Sequence, residues 1–139
     1  MKICIVEDSE IVQGILRNEL GVMHDVHVCG IAQDPVEAME MIRRSSPDLV
    51  ILDIVLKGGN GFEVLSQIRE EEIGTSVLVL TNYPFPQYRE ICGGMGAHYF
   101  FDKSIDMERA LKAVRDMAAG KNCFPNRKGL SRAEGCPDV

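Results

Sequence analysis

The sequence predicts an α/β fold, a doubly wound five-stranded parallel sheet with helices on both faces. Three observations carry that prediction. Short β-branched and aliphatic runs alternate five times with segments of helical periodicity. The middle run, Leu49-Val50-Ile51-Leu52, is apolar without interruption, as a strand buried on both faces must be. Polar residues follow at the carboxyl ends of the runs, where open α/β sheets place their sites.

Lys2 to Val6 is the first strand, and Ser9 offers an N-cap for a helix with Ile11, Val12, Ile15, Leu16 and Leu20 expected on its buried side. Val26 to Ala32 is the second strand. Asp34 then caps a helix that has Pro35 in its first turn and Val36, Met39 and Ile42 as its expected inner stripe. Ser45-Ser46-Pro47 breaks it before the third strand, which runs straight into Asp53. After the glycine-rich Lys57-Gly58-Gly59-Asn60-Gly61, the residues Phe62, Leu65 and Ile68 recur at helical spacing up to Glu72, and Gly74 marks the exit. Val77 to Leu80 is the fourth strand. The helix after it is expected to be short and mobile, because Pro84, Pro86, Gly93, Gly94 and Gly96 crowd both of its ends. Tyr99-Phe100-Phe101 is the fifth strand, and Asp106 is the expected cap of a last helix with Met107, Ala110, Leu111, Val114 and Met117 inside. Gly120 ends that helix.

Two segments result: one domain over 1–120 and an irregular tail over 121–139, in which prolines and glycines interrupt any periodicity. The chain has 139 residues, of which 45% are hydrophobic, enough for one buried core and no second domain. Net charge is -6, and the tail holds four basic against two acidic residues, which leaves the body at -8. Such a body repels nucleic acid and anionic membranes. Five cysteines form no CxxC pair and no zinc spacing with histidine, which fits a reduced cytoplasmic setting. The acidic start is no signal peptide, and no apolar run approaches the ~20 residues that span a bilayer.

In this fold Glu7, Asp8, Asp53, Thr81 and Lys103 converge on one sheet edge although they are far apart in sequence. Crowded carboxylates raise one another's pKa unless a cation lies among them, and an all-oxygen donor set suits magnesium. Lys103 supplies a point charge and Thr81 a hydroxyl donor for a phosphoryl group, which leaves Asp53 as the nucleophile.

These pieces resemble the receiver domain of two-component response regulators: Glu7-Asp8, Val50-Ile51-Leu52-Asp53, Gly59-Asn60-Gly61-Phe62, Leu80-Thr81-Asn82 and Gly96 to Lys103. The resemblance covers about residues 1 to 119. It implies a flavodoxin-like strand order 2-1-3-4-5 and a phosphorylation-controlled switch rather than a turnover enzyme. Asp53 would take a phosphoryl group from a sensor histidine kinase or phosphotransfer protein. Magnesium would be bound by Asp8 and Asp53, by Glu7 through water, and by the backbone carbonyl of Val55. Thr81 and Phe100 would form the switch, with Phe100 turning inward when Thr81 moves. Val55 and Tyr83 resemble the family's positions that tune dephosphorylation, and neither is a good group for orienting an attacking water, which implies a long-lived phosphoryl state. Output would pass through the fourth helix, fifth strand and fifth helix to a downstream protein or a second copy. Lys57 and Ser104 depart from the family, which often has proline there.

Other readings are open to the same residues. The chain resembles receivers attached to DNA-binding domains, so it also fits the receiver fragment of a transcriptional regulator, with no direct nucleic-acid contact of its own. A receiver-fold binding module that works without phosphorylation is another. An aspartyl-phosphate hydrolase would want a second Asp where Val55 stands, and a flavin carrier would not place Glu7-Asp8 in its phosphate loop.

Overall fold

The computed structural model describes residues 1–120, and the expected tail over 121–139 lies outside the described residues. Within them the elements run β1 (Lys2–Val6), α1 (Glu10–Gly21), β2 (His27–Ala32), α2 (Pro35–Ser45), β3 (Leu49–Leu52), β4 (Val55–Leu56), β5 (Gly59–Asn60), α3 (Gly61–Glu70), β6 (Ser76–Thr81), α4 (Pro86–Gly94), β7 (Tyr99–Asp102) and α5 (Met107–Ala118). The five longer strands form one sheet in the order β2-β1-β3-β6-β7, every neighbouring pair parallel. This is the expected order 2-1-3-4-5 once β4 and β5 are set aside. Those two form their own antiparallel hairpin, with Gly58 at φ +67 in its turn. Two residues a side are too few for sequence alternation to reveal.

Because successive side chains of a strand point to opposite faces, each strand divides its residues between two cores. Cys4, Val6, Val50, Leu52, Val77, Val79 and Phe100 face the core that α2 and α3 close with Met39, Ile42, Val64 and Leu65. Ile3, Ile5, Ile51, Leu78, Leu80, Tyr99 and Phe101 face the core that α1 and α5 close with Leu16, Leu20, Leu111 and Val114. Helices therefore cover both faces, as the uninterrupted apolar run of β3 requires.

Capping by Ser9, Asp34 and Asn60 is seen directly: their side chains accept from the amides of Val12, Glu37 and Glu63. Asp106 differs from expectation. It stands at the N-cap position of α5, but its carboxylate accepts from the Asp102 amide at 3.2 Å and from Arg109, and no amide of the helix. Two expected inner stripes also need correction. In α1 the buried line is Leu16 and Leu20, with Val12 packed beside them, whereas Ile11 and Ile15 are exposed. They sit one residue, about 100° of helix, away from that line. In α2, Val36 is exposed for the same reason, and Pro35, Ala38 and Met41 join Met39 and Ile42 inside. Helix α4 is short, nine residues, and Phe85 at its N-cap position supplies no side-chain hydrogen bond. Among the described residues no helix is long and apolar enough to cross a membrane.

Candidate functional site

The β1–β3 and β3–β6 registers place Val6, Leu52 and Val79 side by side, so the chain leaves all three strands along one edge of the sheet. Glu7, Asp8 and Asp53 meet there, each offering a carboxylate oxygen, and these oxygens all lie within 4.8 Å of one another. Glu7 and Asp53 are buried. Lys103 arrives from the end of β7 and bridges them, its Nζ 2.7 Å from Glu7 Oε1 and 2.8 Å from Asp53 Oδ2. Both contacts are charge-assisted and shielded from water, which strengthens them.

The second oxygen of each buried carboxylate is also engaged. Asp53 Oδ1 accepts from the Ile54 amide at 2.7 Å, and Glu7 Oε2 accepts from the Ser9 amide at 3.0 Å. Burial holds the Glu7 carboxyl above its ordinary 4.5, and the charge of Asp53 adds to the rise, although hydrogen bonds from Lys103 and Ser9 oppose it. Burial works against the charge of Lys103 as well, but its hydrogen bonds to Asp53 and Glu7 prevail and hold it above its ordinary 10.5.

Thr81 is fully buried at the end of β6; its Oγ1 accepts from the Tyr83 amide at 3.0 Å and its carbonyl accepts from the Lys103 amide at 2.8 Å. Phe100 is paired in register with Val79 and is also fully buried. The ring lies inside the core in this structure, and the Arg89 guanidinium lies over it, 4.8 Å from its centroid. Val55 and Tyr83 are both nearly half exposed at the same edge. Gly61 allows the loop after Asp53 to close: its amide donates to the Ile54 carbonyl at 2.6 Å, and a Cβ there would run into the Asp53 carbonyl oxygen. The Lys103–Ser104 bond is trans.

All-oxygen donors at this spacing fit a hard divalent cation. Three participants had escaped sequence reasoning. Gln13 Nε2 donates to the Glu7 carbonyl at 2.6 Å, the Ile54 amide donates to the Asp53 carboxylate, and Arg89 covers Phe100. Only Gln13 carries a usable signal, since it lies one helical turn after the Ser9 cap.

Relatives are found both by sequence and by structure. A 127-residue match to the DNA-binding transcriptional activator DevR/DosR of Mycobacterium tuberculosis is 30% identical and covers 91% of this chain and 58% of that protein. The transcriptional regulatory protein YvfU of Bacillus subtilis is 28% identical over 124 residues, 89% of this chain and 62% of that one. The chain thus spans about three-fifths of the length of these relatives. Among solved structures, the signal receiver domain of the response regulator NarL from Mycobacterium tuberculosis superposes with a TM-score of 0.78 at 28% identity, covering 86% of this chain and 96% of that one. The family model for the response regulator receiver domain matches residues 3–115, and with so much of the sequence inside that match the chain belongs to the response regulator receiver family.

Proposed function

We propose that this chain is a cytoplasmic, phosphorylation-controlled signalling switch in which Asp53 accepts a phosphoryl group from the phosphohistidine of a sensor histidine kinase or a phosphotransfer protein. The observation that carries this reading is the Lys103 ammonium set against Asp53 Oδ2 with Glu7 and Asp8 alongside. A carboxylate oxygen of Asp53 attacks phosphorus, the phosphorus–nitrogen bond breaks, and the imidazole leaves with the electron pair. Lys103 shifts from the carboxylate to a phosphoryl oxygen and keeps its charge against the charge that develops there. Thr81 keeps accepting from the Tyr83 amide while its own hydroxyl proton turns to a second phosphoryl oxygen. Magnesium held by Asp8, Asp53, the Val55 carbonyl and, through water, Glu7 would supply positive charge beside the phosphoryl oxygens.

The backbone bond from Lys103 to the Thr81 carbonyl couples the two groups that move, and Phe100 lies three residues before Lys103 on β7. The output is a changed surface of α4, β7 and α5 that binds a downstream protein or a second copy. The phosphoryl group is lost slowly, because neither Val55 nor Tyr83 is a good group for orienting an attacking water, so the chain acts as an acceptor and not as a turnover enzyme.

Incubation with magnesium and a small acyl phosphate, followed by intact mass measurement, tests this. Gain of one phosphoryl group, absent from Asp53→Asn and blocked by a chelator, is expected. Modification that survives in Asp53→Asn, or none with either a small donor or a phosphorylated histidine kinase, overturns the reading. The relatives favour one addition: DevR/DosR is a DNA-binding transcriptional activator, and this chain matches 58% of its length. The output partner is therefore a DNA-binding regulator module, on the same chain or another.

A further inference from the structure

Two sulfur atoms lie together away from the carboxylate cluster. Cys4 on β1 and Cys29 on β2 have their Sγ atoms 3.4 Å apart. The strand pairing explains how. Ile3 pairs with Val28 but Cys4 pairs with Gly30, so the register slips by one residue and Cys29 is the extra residue of β2. Alternation from Val28 turns Cys29 toward the same core as Cys4, where it packs as a partly buried member, and the slip follows it. Gly30 has no side chain at the position opposite Cys4, and a Cβ there would lie 2.6 Å from Met41 Sδ.

From this juxtaposition we propose that Cys4 and Cys29 are a thiol–disulfide modification site, closed by a two-electron oxidant of the hydroperoxide class and reopened by a dithiol. The two cysteines differ in a way that assigns their parts. Cys4 is wholly inaccessible, whereas Cys29 is partly exposed, which assigns the encounter with a small oxidant to Cys29. Cys29 lies 3.4 Å from the Ile3 carbonyl as a thiol donor, which leaves its sulfur to accept from the Cys4 thiol. Burial and the neighbouring Cys29 push the Cys4 thiol up to about 12, so it resolves the intermediate and does not start the reaction.

In the first step the Cys29 sulfur, as thiolate, attacks one peroxide oxygen and the oxygen–oxygen bond breaks, giving a sulfenic acid and water once the departing hydroxide is protonated. In the second step the Cys4 sulfur attacks the Cys29 sulfur. The sulfur–oxygen bond breaks, the Cys4 proton goes to the leaving hydroxyl, and a second water departs. Two thiols and one hydrogen peroxide give one disulfide and two waters, each sulfur being oxidised by one electron and the peroxide oxygens reduced. Cys92, the third cysteine of the described residues, is fully buried and takes no part.

The test uses the full chain, reduced and then treated with hydrogen peroxide, with intact mass and non-reducing peptide mapping as readouts. Expected are loss of two hydrogen atoms, a linked pair of peptides holding Cys4 and Cys29, and full reversal by dithiothreitol. Cys29→Ser, changed at a partly exposed position, is expected to fold and to lose that linked pair. Three outcomes overturn the proposal: a link through Cys92, Cys123 or Cys136 in its place, oxygen gained at Cys29 with no link, or no loss of hydrogen on treatment. Mapping of the unaltered chain alone decides between the first two, so the test does not depend on the variant folding.

Discussion

Lys103 Nζ and Asp53 Oδ2 are separated by fifty positions in sequence and by 2.8 Å in space, with the pair almost closed to solvent. The same nitrogen reaches Glu7 at 2.7 Å, so one cation is shared by two buried carboxylates. What each of the three contributes can be separated by substitution.

Lys103→Ala leaves Glu7 and Asp53 buried without their shared cation. Breaking a buried ion pair from one side costs about 3 kcal/mol. In chelator at neutral pH, urea denaturation should show a loss of that order, shrinking on acidification as the carboxylates take up protons. Magnesium should restore part of it, while phosphoryl acceptance falls by at least about tenfold, the equivalent of ~1.4 kcal/mol. Unchanged stability in chelator contradicts the account.

The pH dependence of Glu7 runs opposite to that of an ordinary paired carboxylate. Its folded pKa lies above 4.5, so its contribution to stability is complete below 4.5 and is lost as pH rises through the folded value. Lys103, also raised, gives a contribution that is complete below 10.5 and lost only as pH rises through its folded value beyond that. Without metal, Glu7→Gln should therefore gain on the unaltered protein as pH rises from about 4 to about 7. Excess magnesium should remove that gain. Parallel stability curves across this range would falsify the assignment.

Arg89 and Phe100 form a second separable pair. Replacing the guanidinium by Met keeps much of the hydrocarbon but removes the cation over the ring, a loss of about 1 kcal/mol at a partly buried site. Arg89→Lys should lose less. Phe100→Ala empties a fully buried site and should cost about 3 to 5 kcal/mol. The two losses should combine to less than their sum in Arg89→Met/Phe100→Ala, as residues in contact do. Strict additivity would show that the ring contact is energetically idle.

Gly61→Ala tests how the acceptor loop is held. The new Cβ meets the Asp53 carbonyl oxygen, a backbone atom that cannot swing aside as a side chain can. Stability should fall by about 2 kcal/mol, the scale of an overpacked core. Phosphoryl acceptance by Asp53 should drop with it, whereas Gly74→Ala, where no atom lies within 4 Å, should leave acceptance unchanged. Acceptance by both variants at the parental rate contradicts a positioning role for Gly61.

The polar strand ends and the apolar runs were legible because they arise directly from local chemistry. A four-residue apolar run bounded by turn residues suits a two-sided strand, and the residues after such strands must gather on one edge of a parallel sheet. That alone brought Glu7, Asp8, Asp53, Thr81 and Lys103 together. Helix stripes were legible to within one residue: Leu16 and Leu20 were placed correctly, while Ile11 and Ile15 were not, because a 100° step decides which neighbour meets the sheet and hydrophobicity alone does not count degrees.

By itself, then, the sequence determined the class of fold, the strand that leads into Asp53 and the set of ionisable groups around it, since periodicity and charge are local properties of the chain. Tertiary structure alone decided what each group does with its neighbours. It put one lysine between Glu7 and Asp53, turned the Asp106 carboxylate back toward Asp102, set Arg89 over Phe100, and brought the Cys29 and Cys4 sulfurs together. Each of these depends on register or on the direction of a side chain across a gap between elements. Such directions are set by packing, which no single stretch of sequence contains.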